Sequence, residues 1–103
     1  ITATLQKVVD GTLYIDQIRI DNSNNSGAVY LKCYDVASGG SCTVGTTNPE
    51  YIFPVNGSSA AEYSMQPGAK FASGIAFACV TAAGTGGTVS PTNDVTVKIL
   101  YHS

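Results

Sequence analysis

"TLYIDQIRIDNSNNSGAVYLKCYDV", residues 12–36, holds two alternating apolar segments around a run of small oxygen-bearing side chains. In the second segment Val29, Leu31 and Cys33 fall on one side and Tyr30, Lys32 and Tyr34 on the other, the period of a half-buried strand. The first segment changes phase midway: Leu13 and Ile15 share one parity, Ile18 and Ile20 the opposite. A β-bulge near Asp16–Gln17 reconciles them, because one extra residue returns both apolar pairs to a single face. Between the segments, Asp21 to Gly27 consists of residues that tolerate left-handed backbone and cap turns with their own side chains. The expectation is strand, turn, strand, with "DNSNNSG" as the turn.

The same alternation extends outward. Ile1, Ala3 and Leu5 predict an N-terminal strand. "EYIFPV" predicts one ending on Pro54, whose missing amide places it at a sheet edge or strand end. "SAAEYSM", a short strand over Lys70 to Ala72, "KFASGIAFACVTA" and "DVTVKILY" complete the set, the last burying Val95, Val97 and Ile99. No segment of helical length shows a 3.6-residue period. The fold class expected is all-β, an antiparallel two-sheet sandwich of seven or eight strands, jelly-roll or immunoglobulin-like, in one domain over 1–103. Ile75 to Val80 is apolar at every position, so both faces need cover, from a loop of the same chain or from a neighbouring subunit. Two long uncharged loops, Ser38 to Pro49 and Ala83 to Asn93, are of the kind that carry contacts.

Charged residues are only 12% of the 103, and the net charge is −2. Lys7, Arg19, Lys32, Lys70 and Lys98 are scattered, which argues against a grip on nucleic acid. No stretch approaches the length of a membrane-spanning helix. A surface of Thr, Ser, Asn and Gly with few charges suits a chain packed against copies of itself or a partner.

Site chemistries were weighed against structural alternatives. His102 is the single histidine and lies next to the end of the chain, where geometry is poorly held; a catalytic imidazole needs the reverse. Asp16, Asp35, Glu50, Glu62 and Asp94 are scattered and read as solvated charges. "GTGGT", Gly84 to Thr88, lacks the lysine and helix of a phosphate loop. Asp21 with its neighbours offers one carboxylate, too little for calcium. Asn24 and Asn56 head glycosylation triplets, a pattern short enough to arise by chance. No cofactor, metal or small-molecule ligand is expected. Tyr30 and Tyr34, both expected outward, form either a stacking platform for sugar or ordinary packing and subunit contact. Of three cysteines, Cys33 and Cys79 lie in apolar patterns and Cys42 in a loop, where it is the candidate reactive thiol; the set is either three free thiols or includes a Cys33–Cys42 bridge.

From Ile18 onward the chain resembles small β-sandwich virion proteins of tailed bacteriophages and marine viruses. The resemblance rests on the turn Asp21–Asn22, "VYLKCYD" at Val29 to Asp35, "TVGTTNP" at Thr43 to Pro49, a strand closing on Pro54, Gly68 to Gly74, and "VTVKILY" at Val95 to Tyr101. It implies a non-enzymatic capsid decoration (cement) protein or a fibre or appendage domain, trimeric, bound to the major capsid protein and assembled in the host cytoplasm into the virion. The contacts expected are Tyr30, Tyr34, Thr43, Thr46, Thr47, Tyr51, Ile75, Phe77, Thr85 and Thr88, with Ile75 to Val80 near a subunit seam. The alternative is a carbohydrate-binding, adhesin or fibre-tip module using the outward tyrosines.

Overall fold

The computed structural model describes residues 1–37 and 40–103, with Val8, Gln66 and Pro67 described by their backbone alone. Among the described residues there are seven strands and no helix: β1 (Gln6–Asp10), β2 (Leu13–Asp21), β3 (Val29–Asp35), β4 (Tyr51–Val55), β5 (Ala60–Phe71), β6 (Gly74–Val80) and β7 (Thr96–His102). They make two antiparallel sheets, one ordered β1-β6-β3-β4 and the other β5-β2-β7. The expected all-β two-sheet sandwich is what forms. Its crossed pairs β2–β5 and β3–β6 are those of an immunoglobulin-like sandwich rather than a jelly roll, with the outermost strands β1 and β7 exchanged between sheets.

The bulge is where the phase change put it. Both ladders of β2 shift register between Ile15 and Gln17. On the β7 side Asp16 is the extra residue, since Ile15 faces Tyr101 and Gln17 faces Leu100. That single insertion lets Leu13, Ile15, Ile18 and Ile20 all face inward, none more than 1% exposed. Each such side chain stabilises the sandwich by about 1.5–3 kcal/mol when fully buried. Val29, Leu31 and Cys33 from β3 and Ile75 and Cys79 from β6 meet them across the core.

Two expectations are corrected. Ile1 to Leu5 form no strand; they bridge the sheets, with the terminal ammonium donating to the Val95 carbonyl (2.8 Å) and the Thr2 carbonyl accepting from the Cys79 amide (2.8 Å). "SAAEYSM" and the short strand at Lys70 are one element, β5, because β2 pairs with both halves while residues 65–68 loop out opposite Asp16. Phe71 belongs to its end, and β6 begins only at Gly74.

The two open sides of the sandwich are closed differently. On the β4/β5 side the rings of Tyr51, Phe53, Tyr63 and Phe71 stack at 5.0–6.1 Å, and the Tyr63 hydroxyl donates to the Pro54 carbonyl across the sheets. On the β1/β7 side, Val9, Phe77, Val97 and Ile99 remain only half-buried.

Candidate functional site

The outer face of the four-stranded sheet carries Tyr30, Lys32 and Tyr34 on β3, opposite Val80, Ala78 and Ala76 on β6. Alternation had placed the β3 residues in solvent. They do take the outer face, but Lys32 is 0% and Tyr34 1% exposed, so neither reaches solvent; Tyr30 is half-buried. Ala76, Ala78 and Val80 are covered as well, which settles what lies on the second side of β6: the chain itself.

The cover comes from the two long loops, and Lys32 holds it down. Its ammonium donates to the carbonyls of Gly84 (2.5 Å), Thr85 (3.5 Å) and Gly87 (3.1 Å). "GTGGT" therefore turns carbonyls inward onto a cation, the reverse of a phosphate cradle, which turns amides inward. Loss of water pushes the Lys32 pKa down. The loops also grip each other. The Thr85 hydroxyl donates to Asn48 Oδ1 (3.1 Å), and the α-carbon of Gly45 sits so close to Thr88 that a Cβ there would lie 2.4 Å from its methyl. Gly45 also has φ +94°, a conformation that glycine adopts without strain. Beneath them the Tyr34 hydroxyl is buried with no hydrogen-bond partner among the described residues. Burial, then the neighbouring Cys42 and Cys33, push its pKa up.

The ten contact candidates separate accordingly. Thr43, Thr46 and Thr88 are exposed and Thr47 and Thr85 half-buried, all on the paired loops. Ser38 and Gly39, where the first loop begins, lie outside the described residues. Tyr34 and Ile75 are buried and offer no surface, and Phe77 faces the core. Tyr51, 37% exposed, belongs to the aromatic seam, since it shares a face with Cys33 rather than with Tyr30. The three thiols are free. Cys42, the loop thiol, is half-buried, and burial, partly offset by Thr47, pushes its pKa up.

"DNSNNSG" is a turn that also acts as a hub, which the sequence reading missed. Asn22 and Asn25 are buried. Asn22 Nδ2 donates to the carbonyls of Gly27 and Asn56 (both 3.1 Å), and its Oδ1 accepts from Asn25 Nδ2 (2.9 Å). Asn25 Nδ2 also donates to the Asn93 carbonyl (2.9 Å), and its Oδ1 accepts from the Asn93 amide (2.8 Å). The two amides thus tie the β2–β3 turn to the turn between β4 and β5 and to the loop before β7. Their oxygens are already engaged, as is that of Asp21, which accepts from the Ser23 amide (2.9 Å) and is held below the usual carboxylate range by Ser23. A polar groove of about 530 Å³ lies beside this hub, between Ser26, Gly27, Thr81 and Thr92.

Of the other carboxylates, Glu50 and Asp94 are exposed, while Asp35 and Glu62 tie parts of the frame together. Asp35 accepts from the amides of Ala72 and Ser73 (3.0 and 2.8 Å), and Glu62 pairs with Arg19 (2.9 Å). His102 does not fray. Its Nδ1 lies 2.7 Å from Asp16 Oδ2, and its ring stacks on Tyr14 at 5.1 Å. The bulge that flips β2 carries this pair, and periodicity alone gave no sign of it. Among the described residues no group of three His, Cys, Asp or Glu is placed to hold a metal, and no helix is long and apolar enough to cross a membrane. Compared with protein-family models, curated proteins and solved structures, the chain matches none.

Proposed function

We propose that this chain is a non-enzymatic virion structural protein, a decoration protein that reinforces a phage capsid as a homotrimer through its loop-covered face. The observation that carries this reading is the pairing of the two longest loops into one uncharged, threonine-rich platform pinned to the sheet by Lys32. A binding surface made of loops gains affinity when the loops are ordered beforehand, because less conformational freedom is lost on contact. Neutral hydroxyl and amide groups supply hydrogen bonds without the desolvation cost of buried charge. Repetition over a symmetric shell then adds avidity to modest single contacts. The carbohydrate alternative needed Tyr30 and Tyr34 side by side in solvent, and Tyr34 is buried.

Sedimentation equilibrium of the native chain tests the reading, alongside the loop variants Thr46→Arg and Thr88→Arg. A trimer of about three times 10.6 kDa that both substitutions split supports it. A monomer at concentrations of about 1 mM, where even weak contacts populate, or a trimer indifferent to both substitutions, removes the platform as the assembly face.

A further inference from the structure

A sandwich has four sheet edges, and an unprotected edge is a template for pairing with another chain. Three of the four are blunted here. β4 carries Pro54, which cannot donate to a ladder. β1 is five residues long, breaks register between Lys7 and Val9, and bears the Lys7–Asp10 ion pair. β5 is interrupted where residues 65–68 loop out. β7 has no proline, register break or interruption; its charged groups are Lys98, on the outer face of the sheet, and His102, which pairs with Asp16 at the strand's end. Its seven residues run unbroken, since the bulge at Asp16 lies in β2, and among the described residues no backbone bond outside the β2 ladder involves 96–102.

A second observation points to the same place. The β4/β5 side is closed by four aromatic rings, whereas the β1/β7 side leaves Ile99 half-buried and has a groove of about 440 Å³ lined by the half-buried Val97 and Phe77. Beside it, Leu100 is 61% and Tyr101 41% exposed on β7 itself. Open backbone and uncovered apolar area thus coincide at one strand.

We infer that β7 is a self-association edge, pairing antiparallel with β7 of a second copy of this chain about a two-fold axis through Ile99. The occupant follows from the strand's own pattern. Directly opposed residues on antiparallel strands point to the same face, so a two-fold contact opposes residues of like parity. Centring on Lys98 sets two ammonium groups against each other, which is destabilising. Centring on Leu100 leaves Thr96 without a partner. Centring on Ile99 overlaps all seven residues, sets Lys98 against Leu100 on the outer face, and brings Val97 and Tyr101 together over the half-buried seam. With 12% charged residues the two copies repel little. The contact is isologous and closes on itself, as a two-fold interface does. It stands apart from the loop platform and does not depend on the virion reading.

Leu100 provides the test, because its exposure lets it change without disturbing the core. Sedimentation equilibrium on the full chain should show association in even copy number, a dimer or, where the loop platform assembles too, a dimer of trimers. Leu100→Lys opposes lysines twice per contact and should raise the dissociation constant about tenfold or more. Leu100→Glu opposes Glu and Lys instead and should preserve or tighten the contact. Amide exchange at residues 96–102 should slow with concentration in the wild type and not in Leu100→Lys. Association untouched by Leu100→Lys, equal weakening by Lys and Glu, or exchange at 96–102 independent of concentration would overturn the inference. A trimer split by Thr46→Arg but not by Leu100→Lys would sustain the loop platform and reject the β7 edge.

Discussion

Lys32 is a charged group without exposure and without a carboxylate, held by three carbonyls. Charge-assisted bonds of this kind are worth more than neutral ones, and removing the donor leaves the loop carbonyls to seek water. Lys32→Met keeps the stem and deletes the ammonium; it should cost about 2 kcal/mol in denaturant unfolding and release the amides of residues 84–88 to faster exchange. Asn25→Ala should cost a similar amount, about 2 kcal/mol, since it strands the Asn93 amide. Asp21→Ala, at an exposed cap, should cost distinctly less, and a chelator should leave the melting of all three unchanged. The buried thiols set a pH dependence. Burial pushes Cys33 up to about 12 and Cys79 up to about 11, from 9.0. Folded-state values above the unfolded ones mean the folded chain retains protons that the unfolded chain releases. Their contribution is therefore complete below pH 9 and is lost as pH rises toward 11–12. Lys32, shifted down, works in the opposite sense up to its unfolded value of 10.5. Cys42 and Tyr34, also raised by burial, act in the same sense as the two buried thiols. With three thiols and a phenol against one amine, Tm should fall as pH rises from 9 to 10.5, and Cys79→Ala should flatten that fall.

Among the elements, the turn that carries the chain from β4 to β5 meets the β2–β3 turn at Gly57. A Cβ there would stand 1.9 Å from the Ser26 carbonyl oxygen and 2.9 Å from the Gly27 nitrogen, both backbone atoms that cannot swing away. Gly57→Ala should therefore destabilise by about 3 kcal/mol through forced displacement, measurable by thermal or chemical unfolding. A wild-type-like melt would show that the β4–β5 turn can shift away from Ser26 at little cost. Strand identity was legible where one ladder decided it: the phase change in β2 announced the bulge, and Pro54 announced an edge. It was illegible where two ladders competed. Gln66-Pro67-Gly68 reads locally as a turn between strands, yet β2 pairs with residues on both sides of it and keeps β5 one element. Ile1, Ala3 and Leu5 alternate like a strand but cross between the sheets, and a pattern of parity carries no information about which neighbour is present.

At the scale of the whole molecule, asymmetry is the main feature. One sheet is roofed by two loops, one open side is sealed by aromatic rings, and the other keeps half-buried apolar residues beside the unblunted β7. The roof and the edge face different directions of use, so their tests separate. Thr46→Arg and Thr88→Arg bear on the platform, and Leu100→Lys on the edge. None of these exposed residues contributes to the core, so each variant should melt within about 0.5 kcal/mol of the parent while its mass changes.

By itself the sequence determined the fold class, the inward set on β2 and β3, the bulge that makes β2 continuous and the position of the two long loops. Those follow from period, turn chemistry and proline, which act within a few residues of one another. Only the tertiary structure decided that Lys32 and Tyr34 lie beneath a roof, that Asn22 and Asn25 join three segments, and that His102 is held by Asp16. A two-residue period says which residues share a face of a sheet but cannot say whether water or another part of the chain lies against it. The unbroken apolar run Ile75 to Val80, with Ala78 opposite Lys32 and Ala76 opposite Tyr34, was the local hint that something would come close. The carbonyls that close over Lys32 come from more than fifty residues away in the chain, and no spacing rule reaches that far.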